Sequence, residues 1–134
     1  MDFSLTTDQK RIKETCAELA VKFAKRAEQH DREASSPIDD YRDLRDAGLF
    51  GLTIPKELGG LGSGFVGYTL AAEELAQGCA STALAFNMHC AALAILTYKT
   101  ALPEKKRQRV AEIAIDQGKL ISALLSEPGR GPLQ

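Results

Sequence analysis

Apolar residues recur at steps of three and four through the first part of the chain. Ile12, Cys16, Leu19, Ala20, Phe23 and Ala27 form one stripe, which predicts an amphipathic helix from about residue 7 to about residue 30. In front of it, Thr6-Thr7-Asp8-Gln9 has capping-box spacing: the Thr6 hydroxyl accepts from an orphan amide and Gln9 reaches back. The opposite face carries Lys10, Arg11, Lys13, Glu14, Lys22, Lys25 and Arg26 and reads as a solvated face. A second helix follows in "SSPIDDYRDLRDAG". Ser36 can cap it, Pro37 suits the first helical position, Asp39 and Asp40 complement the positive end of the dipole, and Gly48 suits a left-handed stop.

The pattern then breaks. "LFGLTIPKELGGLGSG", with Gly48 in front of it, holds six glycines and one proline, too many for a regular helix. Leu49, Phe50, Leu52, Ile54, Leu58 and Leu61 make it too apolar for a linker, so it reads as an ordered, packed loop. It lacks the Gly-Lys-Ser/Thr ending of a phosphate-binding loop. Helical spacing returns with Val66, Leu70, Ala71, Glu74 and Leu75, ending at Gly78 as a stop. Ser81 opens "STALAFNMHCAALAILTYKT", which carries no charge before Lys99 and predicts a helix buried on all sides by other helices or by a partner. Pro103 starts a last helix, with Val110, Ile113 and Ala114 as its face and Gly118 as its stop. The sum is an all-α, bundle-like domain of about five helices. From Lys119 the period changes: "KLISALLSE" suits a short strand or a helical turn, and "EPGRGP" is dense in turn residues.

At 134 residues, one domain with its own core is expected. Lys and Arg number 17 against 18 Asp and Glu, and the densest basic cluster, "EKKRQR", includes an acid. That pattern gives no footprint for nucleic acid or for an anionic membrane. The three cysteines include no C-x-x-C pair, and His30 and His89 are far apart, so no metal site is expected. The start of the chain has no basic region followed by an apolar run, and no uncharged apolar stretch reaches membrane-spanning length. The chain therefore reads as soluble, reduced and cytoplasmic.

Four segments, "LTTDQKRIKE", "LRDAGLFGLTIPKELGGLGSG", "EELAQGCAS" and "GKLISALLSEPGRG", together resemble the acyl-CoA dehydrogenase family, in its order and spacing and over essentially the whole chain. The resemblance implies an N-terminal helical domain over 1–118 and the start of the flavin-binding middle β domain, a short extended stub, over 119–134. It implies FAD in the complete enzyme and a glutamate base beyond Gln134. That base takes the α-proton of an acyl-CoA while a hydride leaves the β-carbon for the flavin, and an electron-transfer partner then reoxidises the flavin. The resemblance implies too that this domain packs on the β domain and the C-terminal helices. With those absent, Leu49 to Leu61 and the helix at 81–97 are expected to expose an apolar patch, so the chain is expected to self-associate as a homo-oligomer. These 134 residues alone are expected to bind FAD weakly and to be inactive.

Carried over residue by residue, the resemblance places the flavin contact at Leu125, Ser126 and Glu127, where Ser126 keeps the hydroxyl of the family's threonine. The tail then departs from the pattern. Pro132 stands where the family often has a serine that helps hold CoA, and proline offers neither hydroxyl nor N–H. The apolar helix at 81–97 matches the family helix along the acyl-chain tunnel, with Phe86, His89, Cys90 and Leu93 as candidate substrate-pocket residues. A plainer role for His89 is a core histidine bonded to a carbonyl, and Cys79 and Cys90 read as buried small hydrophobes. Glu73 and Glu74 are adjacent on a helix, about 100° apart, and cannot share one substrate face; Glu74 reads as structural or interfacial. No residue is expected to serve as catalytic base. Two other readings remain: a non-enzymatic helical association module or truncated product, and the N-terminal domain of a flavin-dependent monooxygenase of the same fold.

Overall fold

The computed structural model describes residues 4–122, and among them the chain is all-α. Five helices run α1 Thr7–Glu33, α2 Ile38–Asp46, α3 Gly64–Gly78, α4 Ala80–Leu96 and α5 Glu104–Ile115. Two short 3-10 turns, Leu49–Gly51 and Lys56–Leu58, interrupt the loop between α2 and α3. Helix α3 lies between α1 and α4, α2 rests on α1, and α5 packs on the two turns and on α4.

The capping box forms as its spacing predicts: Gln9 N–H donates to the Thr6 hydroxyl at 3.2 Å, and Thr6 N–H to the Gln9 side chain at 2.9 Å. Ile12, Cys16, Leu19, Ala20 and Phe23 are buried as a stripe, and the helix runs on to Glu33 before Ala34 takes a left-handed conformation. Helix α2 starts one residue later than predicted. Pro37 occupies the cap position, the Ser36 carbonyl accepts from Ile38 N–H, and no side chain caps the helix. Gly48 and Gly118 stop α2 and α5 with φ of 74° and 60°, the left-handed backbone that glycine adopts without penalty.

Two apolar expectations change on folding. Val66 is exposed; the buried line of α3 is Gly67, Ala71 and Leu75. Small residues win there because α1 comes very close: a Cβ on Gly78 would run into the Ala20 carbonyl. Gly78 is thus a close-packing residue, and a single extended residue, Cys79, links α3 to α4. The other helices of this chain cover only one side of α4, which, of the two expected ways of burying it, leaves a partner for the outer side. Thr82, Phe86, His89 and Leu93 face inward, while Leu84, Met88 and Ile95 are 63%, 51% and 68% exposed.

The glycine-rich loop is ordered and packed. Leu49, Phe50, Leu52 and Ile54 are buried, and the chain doubles back so that Leu61 and Gly62 N–H donate to the Gly51 and Ile54 carbonyls, each at 2.9 Å. A side chain at Gly60 would strike the Ile54 backbone, which explains the glycine at this crossing. The main core joins α1 to α4 through Cys16, Phe23, Leu44, Leu75 and Phe86. A smaller cluster, Ile54, Leu93, Ala111 and Ala114, attaches α5, and Ile121 packs against it.

One position on the charged face of α1 departs from the solvated reading. Arg26 lies 2.8 Å from Asp40 Oδ1 and donates to Asp43 Oδ2 at 2.6 Å. Asp40 has no solvent exposure, and the Thr82 hydroxyl donates to its other oxygen at 2.8 Å. Burial pulls the Arg26 pKa down, but the Asp43 hydrogen bond and the Asp40 and Asp43 charges outweigh it and raise it. Arg26→Ala would leave Asp40 buried with only a hydroxyl for company. A stability loss of about 3 kcal/mol is expected, read as a lower urea midpoint at unchanged slope.

Candidate functional site

The candidate site is an apolar groove of about 460 Å³ where α3, α4 and the glycine-rich loop meet. Phe65 and Tyr68 form one wall, their rings 6.3 Å apart and tilted. Cys90, Ala91, Ala94 and Ile95 form the floor along α4, and Tyr98 closes the far end. Thr53 and Pro55 supply the loop side. The Thr53 hydroxyl is occupied, donating to the Cys90 carbonyl at 2.8 Å. No charged residue lines the groove. It suits a hydrocarbon chain or a packing side chain, and offers no charge to a pyrophosphate.

The groove opens onto the outer face of α4. Leu84, Met88, Ala91 and Ile95 recur at steps of four, three and four, so an apolar stripe runs the length of the helix and ends in the groove. The other four-step series turns inward. Of the candidate pocket residues, Cys90 lines the groove, while Phe86, His89 and Leu93 point into the core and are fully or almost fully buried. His89 Nε2 is 3.0 Å from the Phe50 carbonyl, and its Nδ1 is 2.9 Å from the Ile121 N–H. Its ring stacks beside Phe86 and meets Phe50 at a tilt. Leu125, Ser126 and Glu127, named above for the flavin contact, lie outside the described residues.

Glu74 pairs with Lys13 at 3.5 Å and accepts from Gln77, a bridge between α3 and α1. Glu73 is exposed. Sequence reasoning missed Asp40 and Phe65. Asp40 stood out only as a dipole partner, and no local spacing shows that its side chain meets residues 14 and 42 positions away. Phe65 is 81% exposed at the start of α3, and no local spacing marks it as a groove wall. Among the described residues no group of three or more His, Cys, Asp or Glu could hold a metal ion, and no helix is long and apolar enough to cross a membrane.

With this geometry the similarities to known proteins become specific. Residues 6–115 match the family model described as acyl-CoA dehydrogenase, N-terminal domain. The chain belongs to that family, through its helical N-terminal domain. Among curated relatives it is 32% identical over 132 residues to acryloyl-CoA reductase (NADH) of Anaerotignum propionicum, covering 98% of this chain and 33% of that protein. It is 31% identical over 132 residues to the probable acyl-CoA dehydrogenase YngJ of Bacillus subtilis (strain 168), covering 98% of this chain and 34% of the relative. A solved structure described as "Electron transferring flavoprotein of Acidaminococcus fermentans: Towards a mechanism of flavin-based electron bifurcation" contains a chain that superposes with a TM-score of 0.73 at 34% identity. The match covers 85% of this chain and 30% of that one. The chain thus spans about a third of the length of these relatives.

Thiol chemistry at the groove is suppressed. Burial pushes both Cys90 and Cys16 up to about 12, helped at Cys90 by Cys16 and at Cys16 by Glu74. At pH 8 a disulfide reagent should leave both thiols unmodified in the native chain and titrate them within minutes in denaturant. Mass mapping of the labelled cysteines reads the outcome, and fast native labelling of Cys90 would show that the groove floor opens.

Proposed function

We propose that this chain is the helical part of a flavin-dependent oxidoreductase that interconverts saturated and α,β-unsaturated acyl-CoA thioesters. The observation that carries the reading is the uncharged outer face of α4, running into an apolar groove, in a chain of this family. The relatives' names span both directions of that chemistry, reductase and dehydrogenase, and share the acyl-CoA thioester. In this reading the groove takes the hydrocarbon part of the substrate. Cys90 and Ile95 touch it, and Phe86, His89 and Leu93 support the floor from the core side. FAD supplies the hydride acceptor when bound in the complete enzyme, with Leu125, Ser126 and Glu127 as this chain's contribution to holding it. An electron-transfer partner completes the cycle.

The described residues supply no base placed at the groove, and the polar contacts proposed for the flavin are few. Hydrogen bonds worth about 1 kcal/mol each do not offset the several kcal/mol lost on immobilising a dinucleotide. FAD titration of these 134 residues, followed by acyl-CoA-dependent dye reduction, should therefore show neither stoichiometric micromolar binding nor turnover. A chain extended to the length of its relatives should show both. Turnover by the 134 residues would overturn the division of labour and place the base among Glu57, Glu73, Glu74 and Glu127.

The same face leads to self-association of these residues when they are alone. The apolar loop contributes little, because Leu49, Phe50, Leu52 and Ile54 are already buried; the exposed stripe of α4 carries it. A two-fold contact that buries about 800 Å² per partner is the commonest closed solution. Light scattering at micromolar concentration should report a dimer, and Ile95→Glu should convert it to a monomer. A clean monomer for the unsubstituted chain would count against this.

A further inference from the structure

Among the described residues the fully buried polar side chains are Asp40, Thr82, His89 and Thr97. Asp40 and Thr82 bond to each other, and Thr97 bonds back to the Leu93 carbonyl within its own turn of chain. His89 differs: its two ring nitrogens meet backbone groups of two separate loop segments, at Phe50 and at Ile121. We propose that His89 is the positioning residue that docks the segment leaving α5 onto the helical body, holding Ile121 by its backbone amide in a bond that a proton on the ring would break.

The hydrogen-bond directions fix the ring's state. Ile121 N–H can only donate, so Nδ1 accepts and carries no proton. Nε2 then carries the ring proton and donates to the Phe50 carbonyl. A second proton, on Nδ1, would set two N–H groups against each other at 2.9 Å and leave the Ile121 amide without its partner. The remaining anchors of the segment are of another kind. Gly118 turns the chain, Lys119 N–H closes the end of α5 on the Ile113 carbonyl, and the Ile121 side chain packs on the Ile54 and Leu93 cluster. Apolar packing holds Ile121 near the core but is not directional; the amide bond sets the path the backbone takes.

The charged and titratable groups beside this joint lie at its rim. Tyr41, Arg42 and Arg45 of α2 and Lys119 line the cleft beside Phe50 and Gly118. The carboxylates at that edge, Asp39 and Asp46, are already bonded to Arg42 and Arg45. Cys90, next in the chain, stays a neutral thiol at about 12, and the turn that bears Phe50 carries no ionisable side chain. Burial lowers the His89 pKa below its ordinary 6.5, and the bond to Phe50 draws it only partly back. The unfolded chain therefore takes up a proton before the folded one does. The contribution of His89 to stability is complete above pH 6.5 and is lost as the pH falls through the lowered folded value.

The test is a pH titration of the 134-residue chain labelled with 15N, read by NMR. At pH 7.5 the Nδ1 resonance should be that of an unprotonated ring nitrogen and the Nε2 resonance that of a protonated one. On acidification the protection factor of the Ile121 amide should fall by about fivefold to tenfold. That fall should share its midpoint with His89, while amides in the middle of α1 keep their protection. His89→Asn places a carbonyl oxygen near the Nδ1 position and should keep Ile121 protected without the pH dependence. His89→Gln reaches only toward Phe50 and should lose that protection at every pH. A protonated Nδ1 in the neutral ring would overturn the proposal. So would Ile121 protection that ignores the His89 titration, and both readouts come from the unsubstituted chain even where a variant fails to fold.

Discussion

Asp40 is a carboxylate with no access to water, and the way it is satisfied sets the arrangement of three helices. Its charge is met by Arg26 of α1 and its second oxygen by the Thr82 hydroxyl of α4. A buried carboxylate without such partners would be very costly, so α1, α2 and α4 have to meet at this point. The consequence is largest for α4, whose apolar residues run all round it. Hydrophobic burial is non-directional and cannot choose which side of such a helix faces the core. A polar residue can. With Thr82 fixed inward, the helical repeat carries Phe86, His89 and Leu93 inward too, and turns Leu84, Met88, Ala91 and Ile95 to the outside. The groove and the exposed stripe follow from that rotation.

The second constraint is closeness. Helices α1 and α3 approach so tightly at Ala20 and Gly78 that no side chain fits between the backbones. That contact and the one-residue link at Cys79 bring α4 back antiparallel beside α3, which places Phe65 and Tyr68 opposite Cys90 and Ile95. The glycine-rich loop completes the third side. By bonding its own backbone it needs nothing from the groove except the Thr53 hydroxyl bond to Cys90. His89 then connects this loop to the segment beyond α5, so that floor, loop and exit path are one hydrogen-bonded unit.

Much of this was legible in the residues, and the legible parts share a cause. The Thr6–Gln9 box, the stripe from Ile12 to Phe23 and the stops at Gly48 and Gly118 all act within one or two turns of chain, so their spacing carries the information. The loop's packed character followed from its leucines. The misreadings concern partners far away in sequence. Val66 fits a helical face by period, but only Ala71 and Leu75 of that face are fully buried, and Gly67, beside Ile12 of α1, takes the place of Val66. Arg26 sits among twelve other charged residues on α1 and is distinguished only by where α2 lies. Of the four pocket candidates, period alone could not tell that Cys90 reaches the groove and the other three face the core.

The sequence by itself determined the helices, most of their ends and the family, because caps, glycine stops and apolar periodicity are local and the matching segments are contiguous. Only the tertiary structure decided which way α4 is turned, and therefore which of its apolar residues remain open to a ligand or partner. That choice rests on Asp40, Thr82 and His89, whose partners lie tens of residues away and whose bonds, unlike apolar contact, have direction.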